Sequence, residues 1–147
     1  MSRKSLESLE KKGRFLVDLD KWQKVESATV KTCTEVQKRT QNPLIKMVAE
    51  IIRRDSETHI DVLQLIKDSL TKEALHLTPD ELAEIWDLVD GYHRVEQKSV
   101  DIAQQAIRDS RLFAIRHLLT YLLEDESKHL KLLNQLDDFK RNLFPYL

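Results

Sequence analysis

The stretch WQKVE at residues 22–26 recurs as YHRVE at residues 92–96, and DSETH at residues 55–59 recurs as DESKH at residues 125–129. Both copies follow their originals at the same interval, so each half of the chain carries a glutamate followed by a carboxylate and a histidine. Within each half, apolar residues return every three or four positions, which is the spacing of an amphipathic helix. The repeat therefore predicts an all-α chain built from two duplicated helical hairpins.

The composition supports long helices and argues against several classes of function. Hydrophobic residues make up 41% and charged residues 33% of the chain, and only 2 Gly and 3 Pro interrupt regular structure. A net charge of −1 gives no reason to expect nucleic acid as a partner. No apolar stretch is long enough for a membrane span or a signal peptide, and Cys33 is the single cysteine. We therefore expect a cytoplasmic protein that makes no disulfide within the chain.

Prolines and capping residues predict where the helices begin and end. The first helix should run to about Thr40, and the second should begin at Pro43 and fade near Ser69. Thr78, followed by proline and then by a glutamate at the third helical position, forms a capping box that begins the third helix. The hairpin repeats then cover about residues 5–70 and 78–140 of one domain, 1–147.

The last helix has weaker signals. Asp109 or Ser110 should cap its beginning, and Phe144-Pro145 should follow its end. The connection from Leu70 to Thr78 reaches at most roughly 30 Å, which is marginal for a lengthwise crossover and comfortable for an up-down-up-down four-helix bundle. An exchange of hairpins between two chains is a further alternative.

Acidic residues and histidines interrupt the apolar seams, the lines of residues that should face the partner helices. Glu26 lies before the predicted turn at Asn42, and Asp55 and His59 lie after it. The number of residues between the turn and each of these groups is about the same on both sides. At ~1.5 Å per residue, these groups come to nearly one level in an antiparallel hairpin. The predicted seam of the second helix reads Val48, Ile52, Asp55, His59, Val62 and Ile66.

Several carboxylates in one apolar layer are costly, because a buried charge normally protonates, pairs or binds a metal. The predicted seams carry no Lys or Arg that could neutralise them. Carboxylate oxygens together with imidazole nitrogens suit iron or manganese, and suit zinc less exclusively. The candidate metal ligands are Glu26, Asp55, His59, Glu96, Glu126 and His129.

This combination resembles the ferritin-like superfamily and, within it, the rubrerythrin-like diiron-carboxylate four-helix bundles. There, the first and third helices each give a glutamate, and the second and fourth each give a Glu-x-x-His motif. The resemblance matches Glu26 and Glu96 to the single glutamates, and residues 126–129 to the fourth-helix motif. His59 matches the second-helix histidine.

The chain departs from the family at one ligand. Ser56 stands where the second-helix glutamate is expected, and Asp55, one turn before His59, is the candidate substitute. The resemblance implies a protein that binds one or two iron ions and acts in iron handling or in dioxygen or peroxide chemistry. It also implies a homo-oligomer, with a dimer as the working expectation, and leaves open whether the chain is a ferroxidase- or peroxidase-like oxidoreductase.

The competing hypothesis is a non-catalytic helical bundle that serves interaction or structure, with a degenerate metal site whose polar layer only sets helix register. Ser56 is the residue that favours it. Near the candidate ligands, His93 is interpreted as a partner of a ligand or a partly exposed residue rather than as a ligand. Asp125 is interpreted equally as a partner of His129 or as a ligand. Trp22 and Tyr92 are interpreted as core packing, and Cys33 as a small core residue.

Overall fold

The structure, a computed structural model, describes residues 2–143, which form four helices and no strand. The helices are α1 (Arg3–Arg39), α2 (Pro43–Thr71), α3 (Pro79–Asp109) and α4 (Phe113–Leu143). α1 packs on α2 and α3 packs on α4, in two compact units that span Met1–Leu75 and His76–Leu147. The predicted all-α fold, with four helices that pack as two hairpins, is confirmed. The assignment of both hairpins to a single domain stays a prediction.

The helix starts predicted at Pro43 and Pro79 are both confirmed, and each has a side-chain cap. The Asn42 side chain accepts hydrogen bonds from the backbone N–H groups of Leu44 at 2.9 Å and Ile45 at 3.3 Å. The Thr78 hydroxyl accepts from the Glu81 N–H at 3.2 Å, and the Glu81 carboxylate accepts from the Thr78 N–H at 2.8 Å. These bonds satisfy backbone donors that a helix start leaves without intrahelical partners.

The predicted beginning of the fourth helix is wrong. Asp109 is the last residue of α3 and Ser110 is its C-cap, with the Ser110 N–H donating to the Ala106 carbonyl at 3.0 Å. α4 begins only at Phe113. Arg116 explains the difference, because its guanidinium donates to the Ser110 carbonyl at 3.0 Å and so stabilises the turn between the helices. The predicted helix end at Phe144-Pro145 lies outside the described residues, and in the part that is described no helix is both long and apolar enough to cross a membrane.

The predicted seam of the second helix is displaced by one residue from the observed one. α2 buries Ala49, Ser56 and Leu63, one on every second turn, whereas Val48 and Val62 are exposed. Both rows of residues have helical spacing, so periodicity alone does not choose between them. The observed contact uses the small side chains of Ala49 and Ser56, which allow the two helices to approach closely. The prediction that Cys33 is a small core residue is confirmed.

A polar cluster joins the two helices of the first hairpin on one flank. The Glu50 carboxylate accepts a hydrogen bond from Gln37 of α1 at 2.8 Å, and it pairs with Arg53 at 2.6 Å and with Arg54 at 2.7 Å. The hydrogen bond from Arg53 is the largest cause that holds the pKa of Glu50 far below its ordinary value of 4.5, with Gln37 and Arg54 adding to it. The cluster therefore favours the ionised carboxylate in the folded protein.

We expect Glu50→Gln to lower the stability of the chain at neutral pH and to have a smaller effect in acid. A carboxyl group whose pKa is lower in the folded state adds stability above its unfolded pKa, and that stability is lost as the pH falls through the folded pKa. Urea unfolding followed by circular dichroism at pH 7 and at pH 2 measures how far the loss of stability decreases in acid. The matched Glu57→Gln variant, which removes only one exposed partner of Arg53, should have the smaller effect at pH 7. Equal losses from the two variants would contradict the prediction.

Candidate metal centre

The second hairpin brings three candidate ligands to one point. Glu96 of α3 is buried, and Glu126 and His129 of α4 are half-buried beside it. One ligand atom from each of the three lies within 4.8 Å of the other two. His129 Nδ1 is 3.4 Å from Glu96 Oε2 and 3.7 Å from Glu126 Oε2. Helical geometry explains the convergence, since residues three apart on α4 share one face and that face packs on α3.

Two buried atoms of this group have no hydrogen-bond partner. They are Oε2 of Glu96 and Nδ1 of His129, and they face each other across 3.4 Å. A buried polar atom without a partner costs about 1–3 kcal/mol, and more when the group is charged. Both are atoms that bind metal ions as lone-pair donors. The residues present therefore fit a metal ion between them.

The two glutamates also influence each other's ionisation. The hydrogen bond between the Glu96 and Glu126 carboxyl groups is the largest cause that lowers the pKa of Glu96 and raises the pKa of Glu126. A hydrogen bond between two carboxyl groups needs one proton, and the directions of the two pKa shifts favour that proton on Glu126 over Glu96. A metal ion would replace the proton and leave both carboxylates ionised.

Asp125 lies beside one of the three candidate ligands. His129 Nε2 is 3.5 Å from Asp125 Oδ2, on the side of the ring away from Nδ1. A carboxylate at that nitrogen fixes the ring orientation and favours a lone pair on Nδ1, as around many metal-bound histidines. Asp125 itself pairs with Lys128 at 2.7 Å. Asp125 therefore acts here as the partner of His129, which was one of its two predicted roles.

The aromatic residue one turn before each glutamate was wrongly predicted as core packing. Trp22 and Tyr92 are both about half exposed. Trp22 Nε1 donates to Glu26 Oε1 at 3.0 Å. The hydrogen bond that the Tyr92 hydroxyl donates to Glu96 is the largest cause that raises the pKa of Tyr92. The signal was present in the sequence, since both repeats place an indole or phenol one helical turn before the glutamate, where side chains of a helix face each other.

The first hairpin has no equivalent three-ligand group among residues 2–143. Glu26 Oε1 lies 3.2 Å from His59 Nδ1, but the His59 side chain is 56% exposed. Ser56, only 4% exposed, takes the place that Glu126 holds in the second hairpin. Its hydrogen bond to Glu26 is the largest cause that lowers the pKa of Glu26, with Trp22 and His59 adding to it. Hydroxyl, indole and imidazole donors thus satisfy this carboxylate.

Five of the six predicted ligands lie in two observed groups. Glu96, Glu126 and His129 converge in the second hairpin, and Glu26 contacts His59 in the first. Asp55 does not join a group of three ligands, so its prediction as a substitute for the missing glutamate gains no support. His93 is partly exposed, as one of its two interpretations predicted, and it hydrogen-bonds to Asn134 at 3.0 Å rather than to a candidate ligand.

Comparison of the chain with protein-family models, curated proteins and solved structures finds no match.

Proposed function

We propose that the second hairpin binds a transition-metal ion, iron in the cell, through Glu96, Glu126 and His129. The observation that carries the proposal is the pair of buried, unpartnered atoms, Glu96 Oε2 and His129 Nδ1. An ion bound at ~2.1 Å from each ligand requires ligand atoms about 3–4 Å apart. The present separations of up to 4.8 Å would need only small side-chain rotations to reach that range.

Two carboxylates and one imidazole suit iron or manganese, and zinc less exclusively. We favour iron because the repeat resembles the rubrerythrin-like proteins of the ferritin-like superfamily. By that resemblance, bound iron supplies chemistry with dioxygen or peroxide, or is itself the cargo of an iron-handling protein. Asp125 and Tyr92 orient the ligands through His129 and Glu96. Location in the cytoplasm and the absence of a nucleic-acid partner stay predictions from the sequence.

The equivalent histidines of the two hairpins give a matched test of metal binding. We expect protein purified without chelator to hold about one equivalent of metal per chain, and His129→Ala to lose it. His59→Ala, the same change at the equivalent position of the first hairpin, should keep the metal, because His59 belongs to no three-ligand group. Metal analysis and titration with Co²⁺ followed by its visible absorption measure both variants. A parent chain that holds fewer than ~0.2 equivalents of metal per chain after incubation with iron would contradict the proposal.

Adding ferrous iron under air separates iron chemistry from simple metal binding. Oxidation of the added Fe²⁺ by the parent, followed with a colorimetric Fe²⁺ chelator, and its loss in His129→Ala would support oxidation at the site. Metal binding without any oxidation would favour a structural ion.

The alternative function is an interaction or structural module, and the first hairpin favours it. There, Glu26 is satisfied by Ser56, Trp22 and His59 without a metal. If the second hairpin behaves in the same way, the metal content of the parent and of His129→Ala will not differ.

A further inference from the structure

The two hairpins align residue by residue, so each is a reference for the other. In the first hairpin, Gln23 of α1 donates to Gln64 of α2 at 3.2 Å. The equivalent residues of the second hairpin, His93 and Asn134, are joined at 3.0 Å. These contacts show that the helices of both hairpins pair in the same register. A difference at equivalent positions is therefore a difference in side-chain chemistry.

The ends of the two hairpins are held by comparable contacts. In each hairpin a side chain reaches across to the other helix near the turn, and a lysine of the second helix contacts the first helix near the far end. These contacts are Gln37 with Glu50 and Lys67 with Asp20 in the first hairpin, and Arg116 with the Ile107 carbonyl and Lys140 with the Trp86 ring in the second.

The middle layer, at the level of the candidate ligands, is where the hairpins differ. Glu26 of the first hairpin accepts hydrogen bonds from a hydroxyl, an indole and an imidazole of its own hairpin. In the second hairpin, Glu96 Oε2 and His129 Nδ1 are buried and have no hydrogen-bond partner. Buried polar atoms without partners favour any opening of the structure that lets water reach them.

One exchange of residues accounts for this contrast. Ser56, which is 4% exposed, stands at the position that Glu126 takes in the second hairpin. The Ser56 hydroxyl donates to Glu26, whereas Glu126 adds a second carboxyl group to its layer. A cation would satisfy two carboxylates and an imidazole together. Side chains of the chain thus complete the first layer, and a metal ion completes the second.

We propose that the bound metal ion keeps the second hairpin closed, and that the first hairpin stays closed with or without metal. The inference rests on the proposed function, because the ion is the one held by Glu96, Glu126 and His129. The chain divides into two compact units, and one compact unit of a chain can open while the rest stays folded. Metal occupancy then acts as a conformational switch for one half of the chain.

Backbone hydrogen exchange, measured for each helix by mass spectrometry on the full-length chain, follows the opening of each hairpin separately. In EDTA, the slowest amides of α3 and α4 should exchange at least about tenfold faster than those of α1 and α2. Co²⁺ at ~100 times its dissociation constant should slow the exchange of α3 and α4 about 100-fold. The exchange of α1 and α2 should change by less than about threefold.

Variants of the middle layer separate the effect of the ion from that of the fold. His129→Ala should remove the response of α3 and α4 to Co²⁺. Glu126→Ser should also remove it, and in EDTA its α3 and α4 should exchange about tenfold more slowly than those of the parent. His59→Ala is the matched control at the equivalent position of the first hairpin, and it should leave the response of the second hairpin unchanged. Circular dichroism checks the helix content of each variant.

The reverse exchange should transfer the switch to the other half of the chain. Ser56→Glu made together with Glu126→Ser places the second carboxyl group in the first hairpin and removes it from the second. In this double variant, Co²⁺ should slow exchange in α1 and α2 about 100-fold and leave α3 and α4 nearly unchanged. The same residues are present in both proteins, so a difference in overall composition does not explain the result.

The visible absorption of bound Co²⁺ shows whether the ion is present while exchange is measured. Bound Co²⁺ that slows exchange equally in all four helices, or in none, would overturn the inference and leave the proposed function standing. A response of α3 and α4 that is lost in His59→Ala would overturn the inference as well. A parent chain that binds no Co²⁺ would remove the proposed function, and the switch with it.

Discussion

Ser56→Glu should create a metal site in the first hairpin, where residues 2–143 contain no three-ligand group. The new carboxylate would stand opposite Glu26, as Glu126 stands opposite Glu96, with His59 one turn further along α2. We expect Co²⁺ binding per chain to rise by about one equivalent, because two carboxylates and an imidazole then converge. Made together with His129→Ala, the substitution lets the first hairpin be titrated alone, from no bound Co²⁺ to about one equivalent.

The same substitution should weaken the metal-free protein. Ser56 is buried, so a second carboxylate in that layer adds volume and charge at a cost of about 1–3 kcal/mol. Saturating Co²⁺ should restore that loss in a thermal melt. Ser56→Gln has nearly the same size without the charge, and it should lose stability without gaining metal. If Ser56→Glu binds no more Co²⁺ than Ser56→Gln does, position 56 is not equivalent to position 126 as a ligand position, and the prediction is contradicted.

Glu126→Ser is the reverse exchange and should abolish tight metal binding by the second hairpin. Removal of a carboxylate ligand leaves one glutamate and one histidine, and we expect the metal affinity to fall at least about 100-fold. Isothermal titration with Mn²⁺ measures the loss. The new hydroxyl should donate a hydrogen bond to Glu96, as Ser56 does to Glu26.

The metal-free Glu126→Ser protein should at the same time be more stable than the parent, by about 1–2 kcal/mol, because an acidic pair inside the hairpin is removed. Urea unfolding in EDTA at pH 7 tests this. Glu124→Ser removes an exposed glutamate of the same helix and should change neither metal affinity nor stability. A Glu126→Ser protein that is less stable in EDTA would mean that the carboxyl pair is itself a stabilising contact.

The sequence correctly predicted those helix starts that depend only on residues next to them in the chain. Pro43 and the capping box at Thr78 act within a few residues of the helix start, so no distant contact was needed to place them. The start of α4 failed because Asp109 and Ser110 are equally suited to end one helix or to cap the next. The choice depends on Arg116, which reaches back to the carbonyl of Ser110.

The site was predictable to the extent that it depends on one helix. Glu126 and His129 form a motif with fixed helical spacing, and the internal repeat identified Glu96 as their partner across the hairpin. The failure in α2 has a different cause. Val48 and Ala49 begin two neighbouring rows with the same period, and side-chain size, which periodicity ignores, decides which row is buried.

α1 packs on α2 and α3 packs on α4, so each contact joins two helices that follow one another in the sequence. This arrangement affects how the chain folds while it is being synthesised. Contacts between neighbouring segments close short loops, which is typical of rapidly folding chains. The first hairpin can form as soon as the segment up to Leu75 has left the ribosome, while α3 and α4 are still being synthesised. Each hairpin contains one tryptophan, Trp22 or Trp86. Fluorescence during refolding of Trp22→Phe and Trp86→Phe chains can therefore time the two halves separately.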